Sequence, residues 1–151
     1  MKPILTLVAV LSLTGCDSMS GAETRYPGEL LRNDPNTEAI AAPDTVVAGR
    51  PFTVTVVTQG GGCDEKGDVL TSVERMTAEV RPFDVSLYEP GGWCTAILKY
   101  FEHRATVTFA QPGTATIRAV GTGDGRGLGP PPVDAPLVTV ERTVVVVPSG
   151  S

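Results

Sequence analysis

One histidine, three cysteines and a few clustered acids are the residues of this 151-residue chain whose types could support chemistry. His103 alone cannot build a type-1 copper site, which takes two histidines and a cysteine, nor a copper–zinc dismutase centre, which takes more. A Ser-His-Asp hydrolase needs only one histidine, but no Gly-x-Ser-x-Gly turn is present. His103 stands between charges in Glu102-His103-Arg104 at the start of a strand, which predicts a surface or loop-bracing side chain rather than a catalytic one. Asp64, Glu65 and Asp68 crowd one short stretch and are candidate oxygen ligands for calcium. Their spacing matches no EF-hand, Lys66 dilutes their charge, and a solvated acidic loop without metal is the expectation. The glycine-rich stretch 121–132 lacks the lysine and the following helix of a phosphate-cradling loop. Asp124, Arg126 and the prolines after them could serve recognition at one end of a sandwich, against a mobile insertion as the plainer alternative. No catalytic set and no cofactor is expected.

Residues 1–16, MKPILTLVAVLSLTGC, run from one positive charge through an apolar stretch to small residues, the order of an export signal. The apolar stretch of about ten residues rises only about 15 Å as a helix, half of a hydrocarbon core, so it reads as a removable leader and not a permanent span. Leu13-Thr14-Gly15-Cys16 resembles the lipobox of bacterial lipoproteins. The resemblance implies diacylglyceryl transfer to the Cys16 thiol, cleavage before Cys16 and often acylation of the new terminus. Several acyl chains, at about 0.8 kcal/mol per buried methylene, would hold the protein on the membrane of the cell envelope. The alternative is an ordinary secretory signal cleaved elsewhere. Asp17 resembles the inner-membrane retention signal of enteric lipoproteins, but that rule varies between lineages and the membrane and leaflet stay open. With Cys16 assigned to lipid, Cys63 and Cys94 remain as one disulfide pair suited to an oxidising compartment. Closing a loop of about 31 residues stabilises by about 3 to 4 kcal/mol in the chain-entropy model. A reactive or metal-binding thiol pair would lack both CxxC spacing and histidine partners.

The elements that must position these residues follow from composition and period. An apolar content of 41% in 151 residues supports one domain with a core. A net charge of −5 and a pI near 4.8 argue against nucleic acid as a partner. With 17 Gly, 13 Pro and 5% aromatic residues, many turns joining short strands are expected. After Cys16 the stretch to 42 has no sustained period and reads as a flexible spacer of about 26 residues, holding the domain about 25 to 30 Å from lipid, with a helical turn allowed near 29–32. From Pro43 the chain alternates with period two. Strands are expected at 44–48, 52–58, 69–74, 77–82, 105–109, 114–120 and 137–147, with a glycine-rich loop at 59–68, an irregular stretch at 83–92 and helix-compatible spacing at 95–103. Pro112-Gly113 marks a hairpin-like corner.

About seven short strands without intervening helices give an all-β fold, an immunoglobulin-like antiparallel β-sandwich over residues 43–148, with a small Greek-key β-barrel as the alternative. PDTVVAGRPFTVTV resembles the first two strands of bacterial Ig-like envelope domains, and FAQPGTATIRAVG resembles their strand, corner, strand unit. Trp93 sits beside Cys94 in a glycine-rich loop rather than on a core strand between the cysteines, so no binding residue is carried over. Trp93, with Tyr88 and Tyr100 nearby, either packs over the disulfide or meets a partner, and packing is the expectation. The functional expectation is a non-catalytic envelope lipoprotein, in the membrane through its lipid, making protein or glycan contacts or aiding envelope assembly. A small periplasmic hydrolase and a calcium-binding module are its rivals.

Overall fold

The computed structural model describes residues 23–31, 38–89, 91–123 and 134–150. Cys16, Asp124 and Arg126 lie outside them. Among the described residues there are ten strands and no helix: β1 Thr24–Pro27, β2 Glu29–Leu30, β3 Ile40–Ala41, β4 Thr45–Val47, β5 Phe52–Gly60, β6 Asp64–Glu74, β7 Thr77–Ser86, β8 Lys99–Val107, β9 Gly113–Thr122 and β10 Leu137–Val147.

The strands form one mixed sheet curled into a half-barrel. β5 pairs antiparallel with β8 along its whole length and with the short β2 and β3 on its other edge. β9 pairs antiparallel with β10 and parallel with β7, and β7 carries β6 along one side and β1 on the other. The stretch 40–47 works as a strap, because β3 lies antiparallel on β5 whereas β4 lies parallel on β10. Among the described residues β6 and β8 each have a strand partner on one side only, and these edges face each other across the mouth of the curl.

Period-two burial explains the arrangement. Val54, Val56 and Thr58 of β5, Ala78, Val80, Pro82, Asp84 and Ser86 of β7, His103, Ala105 and Val107 of β8, and Ala115, Ile117 and Ala119 of β9 all face inward. Phe109, buried at the corner after β8, packs its ring 5.9 Å from that of Phe52. Each fully buried side chain of this size contributes about 1.5 to 3 kcal/mol.

Several expectations are corrected. Residues 95–103 are not helical: 92–98 are irregular and β8 begins at Lys99, where alternation of exposed Tyr100, Glu102 and Arg104 with inward His103 and Ala105 outweighs the helical spacing of Ile97, Leu98 and Phe101. Strand β6 starts at Asp64, so the turn after β5 is only 61–63, and β7 runs on to Ser86. The spacer assignment gives way at 24–27, 29–30 and 40–41, which are strands: Tyr26, Leu30 and Ile40 bury apolar surface that a free spacer would leave in water. The helical turn near 29–32 is replaced by β2. Pro112-Gly113 turns the chain, with Gly113 at φ 143°, but β8 and β9 do not pair; the corner carries the chain from β5's side to β10's side.

Candidate functional site

The inward faces of four strands change character at one level. Along β5 the buried residues run Val54, Val56, then Thr58; along β8, read backwards, Val107, Ala105, then His103; along β7, Ala78, Val80, then Asp84 and Ser86; along β9, Ile117, Ala119, then Gly121 and Thr122. One end of the half-barrel is therefore dry and the other polar.

At the polar end, His103 Nε2 lies 3.0 Å from Asp84 Oδ1 and 3.0 Å from Thr58 Oγ1. The Nε2–H tautomer donates to the carboxylate, with the threonine oxygen as a second acceptor. His103 is 2% exposed, Asp84 and Thr58 are 0% exposed, and the cluster ties β5, β7 and β8 together. Asp84 Oδ2 has no hydrogen-bond partner among the described residues. Gly28 is pressed against the cluster: a Cβ there would fall 2.8 Å from Asp84 Oδ2 and 2.6 Å from Thr58 Cγ2. A proton relay places the acid on one ring nitrogen and the nucleophile on the other. Here both partners share Nε2, so the geometry braces and does not relay.

His103 also forms part of the wall of an open cleft of about 520 Å³ between residues 66–69 of β6 and 100–104 of β8. The pairing of β6 with β7 slips between Lys66 and Val69, a bulge that moves the β6 edge. The bulge is pinned: Arg25 Nε donates to Asp68 Oδ1 at 2.7 Å and its terminal nitrogen to Oδ2 at 3.0 Å, with the guanidinium 3.3 Å above the Phe83 ring. The Arg25 hydrogen bond holds the Asp68 carboxyl below its ordinary range, and the same bond raises Arg25. Tyr100, Glu102 and Arg104 stand on the β8 side, Arg104 donating to Glu102 at 3.3 Å.

The disulfide forms as expected, Cys63 to Cys94, across 31 residues. Around it Leu87 N donates to Cys63 O at 2.9 Å, and Lys99 Nζ donates to the Gly62 and Asp64 carbonyls at 2.9 Å each. A Cβ on Gly62 would collide with Thr95, so only glycine lets the two cysteine loops lie this close. The expected packing of Trp93 over the disulfide is corrected: Trp93 is 99% exposed. Six of the ten large exposed apolar side chains among the described residues fall within 87–100, namely Leu87, Tyr88, Trp93, Ile97, Leu98 and Tyr100.

The three acids do not converge. Asp64 is buried and accepts from Gly61 N at 2.6 Å, Glu65 is exposed on the next strand position, and Asp68 is held by Arg25. Among the described residues no group of three His, Cys, Asp or Glu side chains could hold a metal ion. His103 is corrected from a surface position to the buried polar core. The sequence does mark Asp84 and Thr58, through the inward parity that Asp84 shares with Val80 and Thr58 with Val56, whereas Arg25, exposed on the short β1, carries no such signal. No protein-family model, no curated protein and no solved structure matches the chain.

Proposed function

We propose that this chain is a non-catalytic envelope lipoprotein, held at the membrane through Cys16, whose domain binds an extended segment of an envelope protein along the cleft between β6 and β8. The observation that carries the binding role is the pair of strand edges, without a further strand partner among the described residues, that flank an open cleft of about 520 Å³. The cleft wall offers Lys66, Tyr100, Glu102 and Arg104 beside Val69, a mix of charged, aromatic and apolar groups that an extended peptide lying over the cleft can meet. The non-catalytic part rests on His103, whose hydrogen-bonded partners share one nitrogen. In finer terms the strap 40–47, which serves both β5 and β10, and the period-two core are Ig-like traits, whereas the single curled sheet and the parallel β7–β9 and β2–β9 pairs depart from an antiparallel two-sheet sandwich and lie nearer to the small barrel.

A photoactivatable residue placed at Tyr100 in intact cells tests the binding role, with one at the exposed Thr143 of β10 as control. Discrete protein adducts from position 100, lost when Val69→Lys puts a charge into the cleft, are expected. Equal adducts from both positions, or none from 100, sink the proposal. A glycan is the second reading, favoured by Tyr100, an exposed aromatic beside Glu102 and Arg104 on the cleft wall. It predicts no protein adduct but protection of Tyr100 by envelope polysaccharide.

A further inference from the structure

We infer that the segment 87–98, tied down at Cys94 by the disulfide and described at 87–89 and 91–98, is a membrane-docking surface that seats Trp93 in the lipid interface and fixes the orientation of the domain; this rests on the anchoring of Cys16 proposed above. Two independent features meet at this end of the molecule. The first is where the chain enters the fold. Thr24 pairs with Ser86, and β1 runs antiparallel to β7, so the chain before Thr24 leaves the sheet where β7 passes into Leu87. Cys63 is at the same place, its carbonyl accepting from Leu87 N. Only residues 17–23 separate Cys16 from β1. Eight steps of chain reach at most about 29 Å when fully extended. An acylated Cys16 therefore keeps this end of the half-barrel facing the bilayer at short range.

The second feature is what this end presents. Trp93 is 99% exposed, and Leu98 (60%), Ile97, Leu87 and Tyr88 stand exposed beside it in sequence, which in a water-facing loop is an unfavourable display of apolar area. Tryptophan and tyrosine are the side chains that prefer the headgroup level of a bilayer, with aliphatic neighbours reaching the acyl boundary. Between 87 and 98 the sole charge is Glu89. Lys99, next in the chain, is turned inward onto the Gly62 and Asp64 carbonyls, so it offers no cation to an anionic headgroup. The contact is accordingly apolar, and zwitterionic lipid suffices. The disulfide ties Cys94, next to Trp93, to Cys63 in the turn after β5, so the apolar residues are presented from a short, pinned segment.

Trp93 is the only tryptophan of the chain, so its fluorescence reports this contact directly. The full, lipidated chain is reconstituted in phosphatidylcholine vesicles, with and without bromine on the acyl chains. A blue-shifted emission and quenching by the brominated lipid are expected, unchanged by added salt. The Leu98→Asp variant, altered at an exposed position that leaves the core intact, should lose most of the quenching while still floating with the vesicles. Emission that stays at the water-exposed wavelength and unquenched in a chain that floats overturns the docking and leaves the anchor standing. A chain with Cys16 intact that does not float overturns the anchoring, and the docking with it. A Cys16→Ser chain that floats and is quenched as well as the parent also overturns the account, since docking would then not depend on the anchor.

Discussion

The two ends of the half-barrel are built from the same strands and filled in opposite ways. At the dry end Val54, Val80, Ile117, Phe109 and Val144 interlock without polar atoms, and stability there is spread over many small contacts. At the polar end Thr58, Asp84, Ser86, His103 and Thr122 are buried, and stability is concentrated in a few directional bonds. The cleft, the disulfide and the exposed segment around Trp93 all lie at or beside the polar end. A dry core tolerates trimming by degrees, whereas a buried polar cluster is intact or badly broken.

The largest expected effect comes from breaking the polar end. His103→Ala leaves the Asp84 carboxylate buried without its donor and should cost about 3 to 5 kcal/mol in urea unfolding. A loss below about 1 kcal/mol would mean that the cluster does not hold β5, β7 and β8 together. Next, reduction of the Cys63–Cys94 disulfide should cost about 3 to 4 kcal/mol, seen as a fall in Tm with a thiol reductant, with the loop 87–98 becoming the first site of proteolysis. At the dry end, Ile117→Val should cost only about 0.5 to 1.5 kcal/mol, and a much larger value would erase the contrast between the two ends. The smallest effect belongs to Arg25 and Asp68, whose side chains are 45% and 56% exposed. Because the folded Asp68 carboxyl sits below its unfolded value, its contribution is present above the ordinary carboxylate range and is lost as pH falls through the folded value. Asp68→Asn should therefore destabilise by less than about 1 kcal/mol at neutral pH and by nothing measurable in acid, below the folded value.

The sequence carried the dry end well. Phe52-Thr-Val-Thr-Val-Val-Thr and Ala115 to Ala119 alternate as strands with one buried face, and both are strands with that face inward. The polar end was harder, because a charged residue on a strand is ordinarily a wet one, and Glu102-His103-Arg104 looks wet in isolation. Only the phase of the alternation, counted back from Val107 and Ala105, puts His103 inside. β1, β2 and β3 are two to four residues long and interrupted by Gly28, too short to show any period, and their place is decided by pairing with β5 and β7, partners distant in sequence. The exposure of Trp93 was not legible either, since the same glycines that let a loop fold over a disulfide let it stand away from one.

The strap formed by β3 and β4 has a consequence for how the molecule comes apart. Because one eight-residue stretch, 40–47, caps β5 with its first half and β10 with its second, its release would bare two strand edges at once on opposite flanks of the sheet. Amide exchange of Val46 and Ala41, the strap amides that face β10 and β5, should then proceed in step, through a single opening less costly than global unfolding. That opened form, with two adhesive edges and the rest of the sheet still folded, is the species from which strand-swapped dimers or fibrils of this protein would grow.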